Sequence, residues 1–187
     1  PMFATTLAIA ALQTSEYFGT GRNPRKLGSA HPRNAPYQAY RARDGWFAIA
    51  AGNDRLWRSV CEVVAMPELL ADERFATTTL RAANQVAQKN LLEARFVRDD
   101  AAKWLARFEK AGVPHAPING YAEALADPQA AHLELVQPMT MPGGTDTKTF
   151  VCPVRIDGAS VAVNTRAPAL GEHAGELRAA MAGEAAR

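Results

Sequence analysis

Residues 37–51 read YQAYRARDGWFAIAA and decide how the middle of the chain folds. Aromatic and polar residues alternate from Tyr37 to Arg41, and an apolar run extends from Trp46 to Ala51. The Arg-Asp-Gly sequence at 43–45 has the composition of a tight turn. This order predicts a β-hairpin.

Helical patterns follow the hairpin. Asn53 is placed to cap a helix at its N-terminus. The apolar residues of that helix share one face: Leu56, Trp57, Val60, Cys61 and Val64. Similar spacing predicts a short helix from Pro67 to Leu70, a long helix over 79–97, and a further helix that Asp99 or Asp100 caps and Gly112 ends. In that last helix, three residues are expected to face inward: Trp104, Leu105 and Phe108.

The flanking segments complete the expected fold class. A broad apolar pattern predicts a helix over 2–18, and the Gly- and Pro-rich segment 19–36 predicts a loop. Strands are expected at Leu135–Met141 and Thr147–Val154, and a closing helix near Glu176–Met181. Because strands occur in hairpins and helices cluster between them, the sequence predicts an α+β fold rather than a parallel α/β sheet.

Composition indicates the number of domains and argues against nucleic-acid binding. The 187 residues are 48% hydrophobic and 21% charged, as expected for one ordinary domain, or for one domain with an appendage. The formal net charge of +2 is too small to indicate nucleic-acid binding, which requires several clustered cations.

Cysteine use and hydropathy predict a cytoplasmic protein. Cys61 and Cys152 lie in unrelated apolar contexts, so we expect two buried thiols in a reducing compartment. The apolar stretch from Phe3 to Leu12 is too short to span a membrane and lacks the features of a signal peptide. The chain begins with Pro1 inside an apolar helical pattern, so we expect it to be part of something longer.

Standard catalytic and metal-binding motifs are not recognisable. The four histidines, His31, His115, His132 and His173, are isolated in the sequence, so no metal site is predicted. The Gly-Thr-Gly at 19–21 lacks the rest of a dinucleotide fingerprint. Composition and spacing alone therefore predict an α+β domain and no specific chemistry.

A resemblance to a known family gives information about function that these patterns do not. Its motifs, in order, are HPRNAPYQAY (31–40), DG (44–45), AAGND (50–54) with Trp57, DERFAT (72–77) with Arg81 and Asn84, AGVP (111–114) with Pro117, DPQ (127–129) and PALGEH (168–173). In order and spacing they resemble the C-terminal half of the family III CoA-transferases, the CaiB/BaiF family, which includes formyl-CoA transferase, carnitine CoA-transferase and α-methylacyl-CoA racemase. The resemblance covers essentially all 187 residues.

The resemblance implies a domain organisation and a chemistry. Residues 1–29 would be a helix and linker of a large domain, 30–154 a small α+β domain, and 155–187 a returning linker and tail. Two full-length subunits would interlock as a homodimer. The implied substrates are an acyl-CoA and a carboxylic acid, with coenzyme A as the transferred group and no metal.

The resemblance places the nucleophile outside this chain. In the transferases an aspartate of the N-terminal half attacks the acyl-CoA carbonyl, and an aspartyl-CoA thioester follows. No aspartate here matches that motif, so no catalytic residue is predicted and the chain alone is expected to be inactive.

The same resemblance implies a substrate-side loop. The segment corresponding to 33–38 is a glycine-rich loop in formyl-CoA transferase, where it shields the intermediate from water. This chain lacks the glycines, and Pro36 restricts the loop's movement. The candidate substrate contacts are Asn34, Pro36, Tyr37 and Gln38. Alternatively, Tyr37 is only the first residue of a strand and Gln38 its solvent-facing neighbour.

Two other functions stay open. Racemase members of the family place a proton-transferring glutamate where this chain has Asn53, and an amide cannot exchange a proton as a carboxylate does. This difference favours CoA transfer over racemisation. The remaining alternative is an interaction module without catalytic activity.

Overall fold

A computed structural model describes residues 1–161, 163 and 165–184, and the chain divides into two compact units, Pro1–Ile118 and Asn119–Arg187. The first unit contains α1 (Met2–Ile9), α2 (Ala11–Thr20), β1 (Tyr37–Arg41), β2 (Trp46–Ala50), α3 (Asp54–Val63), two 3-10 helices (Pro67–Leu70 and Glu73–Phe75), α4 (Thr78–Ala83), α5 (Gln85–Phe96), α6 (Ala101–Lys110) and β3 (His115–Pro117). The second contains α7 (Tyr121–Leu125), α8 (Pro128–His132), β4 (Val136–Thr140), β5 (Asp146–Phe150), β6 (Arg155–Ile156), β7 (Ala159–Ser160) and α9 (Ala174–Glu184). This mixture confirms the predicted α+β class.

The predicted hairpin is confirmed and forms the centre of a three-stranded antiparallel sheet. In the register, Tyr37 of β1 is opposite Ala50 of β2, and Arg41 is opposite Trp46. Strand β3 pairs with the other side of β2, so the strand order is β1-β2-β3. The extended segment after α6 therefore completes the sheet that the hairpin begins.

An aromatic cluster between the sheet and helices α5 and α6 forms the core. Phe47 of β2 is fully buried, and its ring centroid lies 5.0 Å from that of Phe96. Phe96 in turn lies 5.2 Å from Trp104, whose indole N–H donates to the Phe96 carbonyl at 2.8 Å. Such edge-to-face contacts add to the free energy gained by burying the rings.

Helices α3 and α6 both begin where the sequence predicts, but only α3 is capped by the side chain of its N-cap residue. The Asn53 side-chain oxygen accepts a hydrogen bond from the Leu56 N–H at 2.9 Å, which confirms the cap. At α6, Asp100 occupies the N-cap position, but its carboxylate binds Arg43 instead. The Ala101 N–H donates to Asp44 of the hairpin turn at 2.7 Å. Asp100 therefore occupies the predicted N-cap position, but its side chain makes no capping hydrogen bond, because the turn brings a competing carboxylate to the helix start.

Two predicted helices are each divided in the structure. The 2–18 helix is interrupted at Ala10, and α1 and α2 bury none of their side chains within the described chain. The 79–97 helix is interrupted at Asn84, whose side-chain amide donates to the carbonyls of Leu80 and Arg74. That competition with the helical backbone explains the break.

The two cysteines differ in exposure. Cys61 on α3 is fully buried, and this burial raises the pKa of its thiol to about 12. Cys152 is exposed, so the prediction that it is buried was wrong. It lies just after β5, where the chain leaves the two-stranded sheet.

The second unit is built on the other predicted hairpin. Strands β4 and β5 pair antiparallel, with Val136 opposite Phe150 and Thr140 opposite Asp146, which confirms the predicted pair. The closing helix α9 extends beyond the predicted Glu176–Met181 at both ends. Among the described residues, no helix combines the length and the apolar character needed to cross a membrane.

Candidate functional site

The loop before β1, which carries the predicted site residues, is fixed to the exposed edge of that strand. The His31 N–H donates to the Tyr37 carbonyl at 2.9 Å, and the Ala39 N–H donates to the Ser29 hydroxyl oxygen at 3.1 Å. The next free N–H along this edge, that of Arg41, donates to the Glu93 carboxylate at 2.8 Å. An edge strand that would otherwise present unpaired groups is thus satisfied by the loop and by α5.

His31 organises the turn that leads into the loop. Its Nδ1 accepts hydrogen bonds from the backbone N–H groups of Arg33 and Asn34, each at 3.1 Å. Its ring also stacks on that of Tyr37, with centroids 5.0 Å apart and planes 18° from parallel. One histidine therefore fixes both the backbone of the loop and the orientation of a predicted substrate contact.

Arg81 of α4 is hydrogen-bonded to the backbone in the middle of the loop. Its side chain is fully buried, and its Nε–H donates to the Ala35 carbonyl at 3.0 Å. The Ala35–Pro36 peptide is cis, and the Pro36 carbonyl accepts from the Ala51 N–H at 2.8 Å. Two successive carbonyls of the loop are therefore paired with groups of the folded core.

The other two nitrogens of the Arg81 guanidinium are also hydrogen-bonded. They bind the Phe75 carbonyl at 3.0 Å, the Thr78 hydroxyl at 2.9 Å and the Asp54 carboxylate at 2.6 Å. The hydrogen bond from Arg81 and its positive charge hold the pKa of Asp54 below its ordinary value. A buried guanidinium with these partners connects the loop to the starts of α3 and α4.

Asn34 is placed by a close backbone contact. A Cβ added at Gly52 would lie 3.1 Å from the Asn34 Cβ and 3.2 Å from its Cγ. Only a residue without a side chain allows this approach unchanged. The Asn34 side chain therefore lies against the end of β2.

The four predicted substrate contacts do not converge on one pocket. Tyr37, 42% exposed, lines a cleft of about 240 Å³ that α2 and the 29–33 loop also border. Gln38, 7% exposed, lines a separate cleft of about 450 Å³ beside α5. Asn34 contacts Gly52, and Pro36 is buried. Successive strand residues point to opposite faces, which explains the separation of Tyr37 from Gln38.

The alternative description of Gln38 as solvent-facing is wrong. Its side-chain N–H donates to the Tyr40 hydroxyl at 3.3 Å, below the surface of the sheet. Tyr37 is, as that alternative states, the first residue of a strand. The role of these residues in binding substrate stays a prediction.

Sequence reasoning missed two residues that build the site. His31 was treated as an isolated histidine, and Arg81 served only as a motif residue in the resemblance. Arg81 reaches Ala35 across 46 positions of sequence, so no local pattern signals their contact. Within 1–161, 163 and 165–184, no three His, Cys, Asp or Glu side chains are grouped to hold a metal ion.

The second unit carries a groove of about 750 Å³ beside β4. Glu134 and Lys148 are its charged lining residues. None of the residues lining it was predicted to bind substrate.

Comparison with known proteins identifies the family. The sequence matches the family model for CoA-transferase family III over residues 1–174. It is 33% identical over 141 residues to succinyl-CoA:glutarate CoA-transferase of Mus musculus, covering 75% of this chain and 32% of that protein. It is 38% identical over 160 residues to acetyl-CoA:oxalate CoA-transferase of Acetobacter aceti, covering 84% and 39%.

A solved structure agrees with these sequence matches. A CaiB/BaiF family protein from Brucella suis superposes with a TM-score of 0.73 at 37% identity, over 92% of this chain and 44% of that one. The chain thus spans less than half the length of these relatives. Matched over 174 of its residues, the chain belongs to CoA-transferase family III.

Proposed function

We propose that this chain is part of an enzyme that transfers CoA from an acyl-CoA to a carboxylic acid. The observation that carries the proposal is the match to CoA-transferase family III over residues 1–174. Relatives named for succinyl-CoA:glutarate and acetyl-CoA:oxalate transfer support the same class of reaction. The chain spans about a third to two-fifths of these relatives, so the active enzyme would contain further segments.

The proposed reaction runs through a carboxylate nucleophile that lies outside these residues. An aspartate attacks the acyl-CoA carbonyl and displaces the CoA thiolate, which leaves a mixed anhydride. The thiolate then attacks the aspartyl carbonyl and releases the acyl group as a carboxylate. The resulting aspartyl-CoA thioester passes CoA to the acceptor by the reverse of these steps.

The contribution of this chain would be a fixed wall that keeps water from the intermediate. Anhydrides and thioesters are lost to hydrolysis unless the site is closed. The hydrogen bonds of His31 and Arg81 to the 33–36 segment, and the contact of Asn34 with Gly52, favour a rigid wall over a mobile lid. Tyr37 and Gln38 follow that segment directly and are proposed to contact the acyl group.

Racemisation is the less favoured chemistry. The residue at the position of the racemase glutamate is Asn53, and its side-chain oxygen caps α3 at 2.9 Å from the Leu56 N–H. A neutral amide already engaged in this way is unsuited to proton transfer. This supports CoA transfer as the reaction.

The first two helices support the need for a larger protein. Met2, Phe3, Ile9 and Phe18 are each more than three-quarters exposed. Apolar side chains exposed in this number are normally covered by other protein surface. We propose that residues 1–29 and 155–187 pack on a large domain, that 30–154 form a small domain, and that two complete subunits form a homodimer.

The proposal is tested on the full-length protein that contains this chain. CoA thioesters and carboxylate acceptors are supplied in pairs, and hydroxylamine is used to trap the acyl or thioester adduct. We expect CoA exchange for at least one pair and a hydroxamate on one aspartate outside residues 1–187. Rapid exchange of the substrate's α-proton without CoA transfer would instead support racemase chemistry. The 187-residue chain alone is expected to be inactive.

A further inference from the structure

The hydrogen bonds of His31 require one protonation state of its ring. Nδ1 accepts from the backbone N–H groups of Arg33 and Asn34, each at 3.1 Å. A ring nitrogen can accept only while it carries no proton. Because a neutral imidazole holds its single proton on one of its two nitrogens, that proton must be on Nε2. The structure therefore requires the neutral Nε2–H tautomer at this position.

Protonation of this ring would replace the acceptor with a donor. An imidazolium carries an N–H group on both nitrogens, so Nδ1–H would face two backbone N–H groups. Both hydrogen bonds would be lost, and groups of like partial charge would lie in contact. Histidine is the side chain that commonly changes its charge between about pH 5 and 8. The backbone at Arg33 and Asn34 is thus held by a residue type that can act as a pH-sensitive contact.

The other groups around His31 tolerate both forms of the ring. The ring stacks on that of Tyr37 with centroids 5.0 Å apart, and an aromatic face also attracts a positively charged ring. Two charged residues line the surrounding cleft, Glu16 of α2 and Arg33 of the loop. They form an ion pair with each other at 3.9 Å, and their effects on a positive ring are opposite in sign. The two hydrogen bonds to Nδ1 are therefore the contacts that depend on its protonation.

Loss of these hydrogen bonds would release only the first part of the loop. The Ala35 carbonyl accepts from Arg81 at 3.0 Å, and the Pro36 carbonyl accepts from a backbone N–H of the folded core at 2.8 Å. Neither hydrogen bond involves the ring of His31. The segment 31–34 can therefore open while the two residues that follow it stay in place.

We propose that His31 is a pH-dependent switch of this loop: its neutral ring holds the backbone at Arg33 and Asn34, and protonation of the ring releases that backbone. His31 acts through the loop and is a positioning residue. The consequence for catalysis rests on the proposed function, in which the loop keeps water from the intermediate. A released loop would admit water to that site.

The expected side reaction is hydrolysis of the aspartyl-CoA thioester. Water would attack the aspartyl carbonyl, and the bond from that carbon to sulfur would break. The products would be free CoA and the restored aspartate carboxylate, with one proton released to the solvent. Each such event consumes an acyl-CoA without passing CoA to the acceptor.

Loop protection and the ring tautomer are measured on the full-length protein. Hydrogen–deuterium exchange with mass spectrometry follows the peptide 31–36, in which Pro32 and Pro36 have no backbone N–H. Exchange is expressed as a protection factor, which corrects for the effect of pH on the chemical exchange rate. We expect protection to fall about tenfold between about pH 8 and pH 5, the effect of losing two backbone hydrogen bonds. NMR of ¹⁵N-labelled histidine should show the Nε2–H tautomer of His31 at the higher pH and a ring titration with the same midpoint.

Two substitutions separate a switch from a merely structural role. In His31→Asn the side-chain oxygen can accept from the same two N–H groups, as in an Asx turn, but it does not titrate. This variant should stay protected at both pH values, whereas His31→Ala should be unprotected at both. His132→Asn replaces an exposed histidine of α8, and as the matched control it should respond to pH as the parent does.

The parent and His31→Asn decide the proposal even if His31→Ala does not fold. Protection that is independent of pH in the parent would overturn the switch. An equal fall in protection in the parent and in His31→Asn would overturn it too, because another group would then be responsible.

Turnover by the full-length protein tests the consequence for catalysis. For a substrate pair that exchanges CoA, release of free CoA by hydrolysis is measured against CoA transfer. In the parent, the ratio of hydrolysis to transfer should rise towards low pH with the midpoint of the loss of protection, and in His31→Asn it should not change. A constant ratio in the parent while protection falls would overturn the role in excluding water and leave the proposed function intact. If no pair exchanged CoA, the proposed function would be removed, and the exchange measurements would still decide the switch.

Discussion

The Nε–H of Arg81 donates to the carbonyl of Ala35 at 3.0 Å, and this contact ties the substrate-side loop to helix α4. The guanidinium is fully buried, whereas its carboxylate partner Asp54 is 63% exposed. The pair therefore has one end in the core and the other in water. Its main effect is to bring two helix starts and the loop together at one buried group.

Replacing Arg81 should destabilise the fold. Arg81→Met leaves the carbonyls of Ala35 and Phe75 without their donor, and we expect a loss of about 3 kcal/mol in the free energy of unfolding. Arg74→Met, which removes an exposed ion pair with Asp72, should cost less than about 1 kcal/mol. Urea unfolding measures both. An equal loss of unfolding free energy in the two variants would show that the buried contacts of Arg81 contribute no more to stability than an exposed ion pair.

Acid should weaken the same junction. Arg81 lowers the pKa of Asp54 in the folded protein, so the carboxylate's contribution to stability is complete above its unfolded pKa of about 3.9. That contribution is lost as the pH falls through the lower, folded value. Asp54→Asn should therefore unfold at lower urea than the parent at pH 6, and the gap should narrow as the pH falls below the unfolded pKa of about 3.9. A gap that stayed constant with pH would contradict the assignment.

The contact between Gly52 and Asn34 should not tolerate a methyl group. In Gly52→Ala the new Cβ would lie 3.1 Å from the Asn34 Cβ, so the loop must shift, at a cost of about 1–2 kcal/mol. Adding Asn34→Gly removes the crowding atoms, and the double variant should recover stability relative to the sum of the single changes. Thermal unfolding of all four proteins measures this coupling. Strictly additive effects would show that the two residues do not press on each other.

The two thiols should react at very different rates. Burial raises the pKa of Cys61 to about 12, whereas Cys152 is exposed. Because the thiolate is the reactive form, one thiol per chain should react quickly with Ellman's reagent under native conditions. Cys152→Ser should abolish this fast phase, and Cys61→Ser should leave it unchanged. A fast phase that survives in Cys152→Ser would place the exposed thiol at Cys61.

Sequence patterns predicted those parts of the fold whose signals are local. The hairpin depends on alternation and a turn within residues 37–51, and the α3 cap joins Asn53 to Leu56. The hydrogen bond from Ala101 to Asp44 at the start of α6 was missed because the two residues lie 57 positions apart. The role of Arg81 was missed because its contact with Ala35 spans 46 positions. A single buried arginine within a helix also has no periodic pattern that would reveal it.

The candidate site was predictable to the level of the loop. The resemblance located residues 33–38, and the structure shows how firmly their backbone is held. The resemblance could not reveal that Tyr37 and Gln38 border different clefts, because this separation depends on the pleat of β1 and on the packing of α5.

The position of β3 also affects the order in which the domain can assemble. Strand β2 is central, but its second neighbour follows it only after α3 to α6, with Ile49 opposite His115. During synthesis on a ribosome, one edge of β2 stays unpaired until α3 to α6 have been made, because the residues of β3 follow those helices in the chain. Closing so long a connection carries an entropic penalty and slows folding. A nascent chain released before residue 117 would carry an open strand able to pair with another molecule, and it would be a substrate for chaperones.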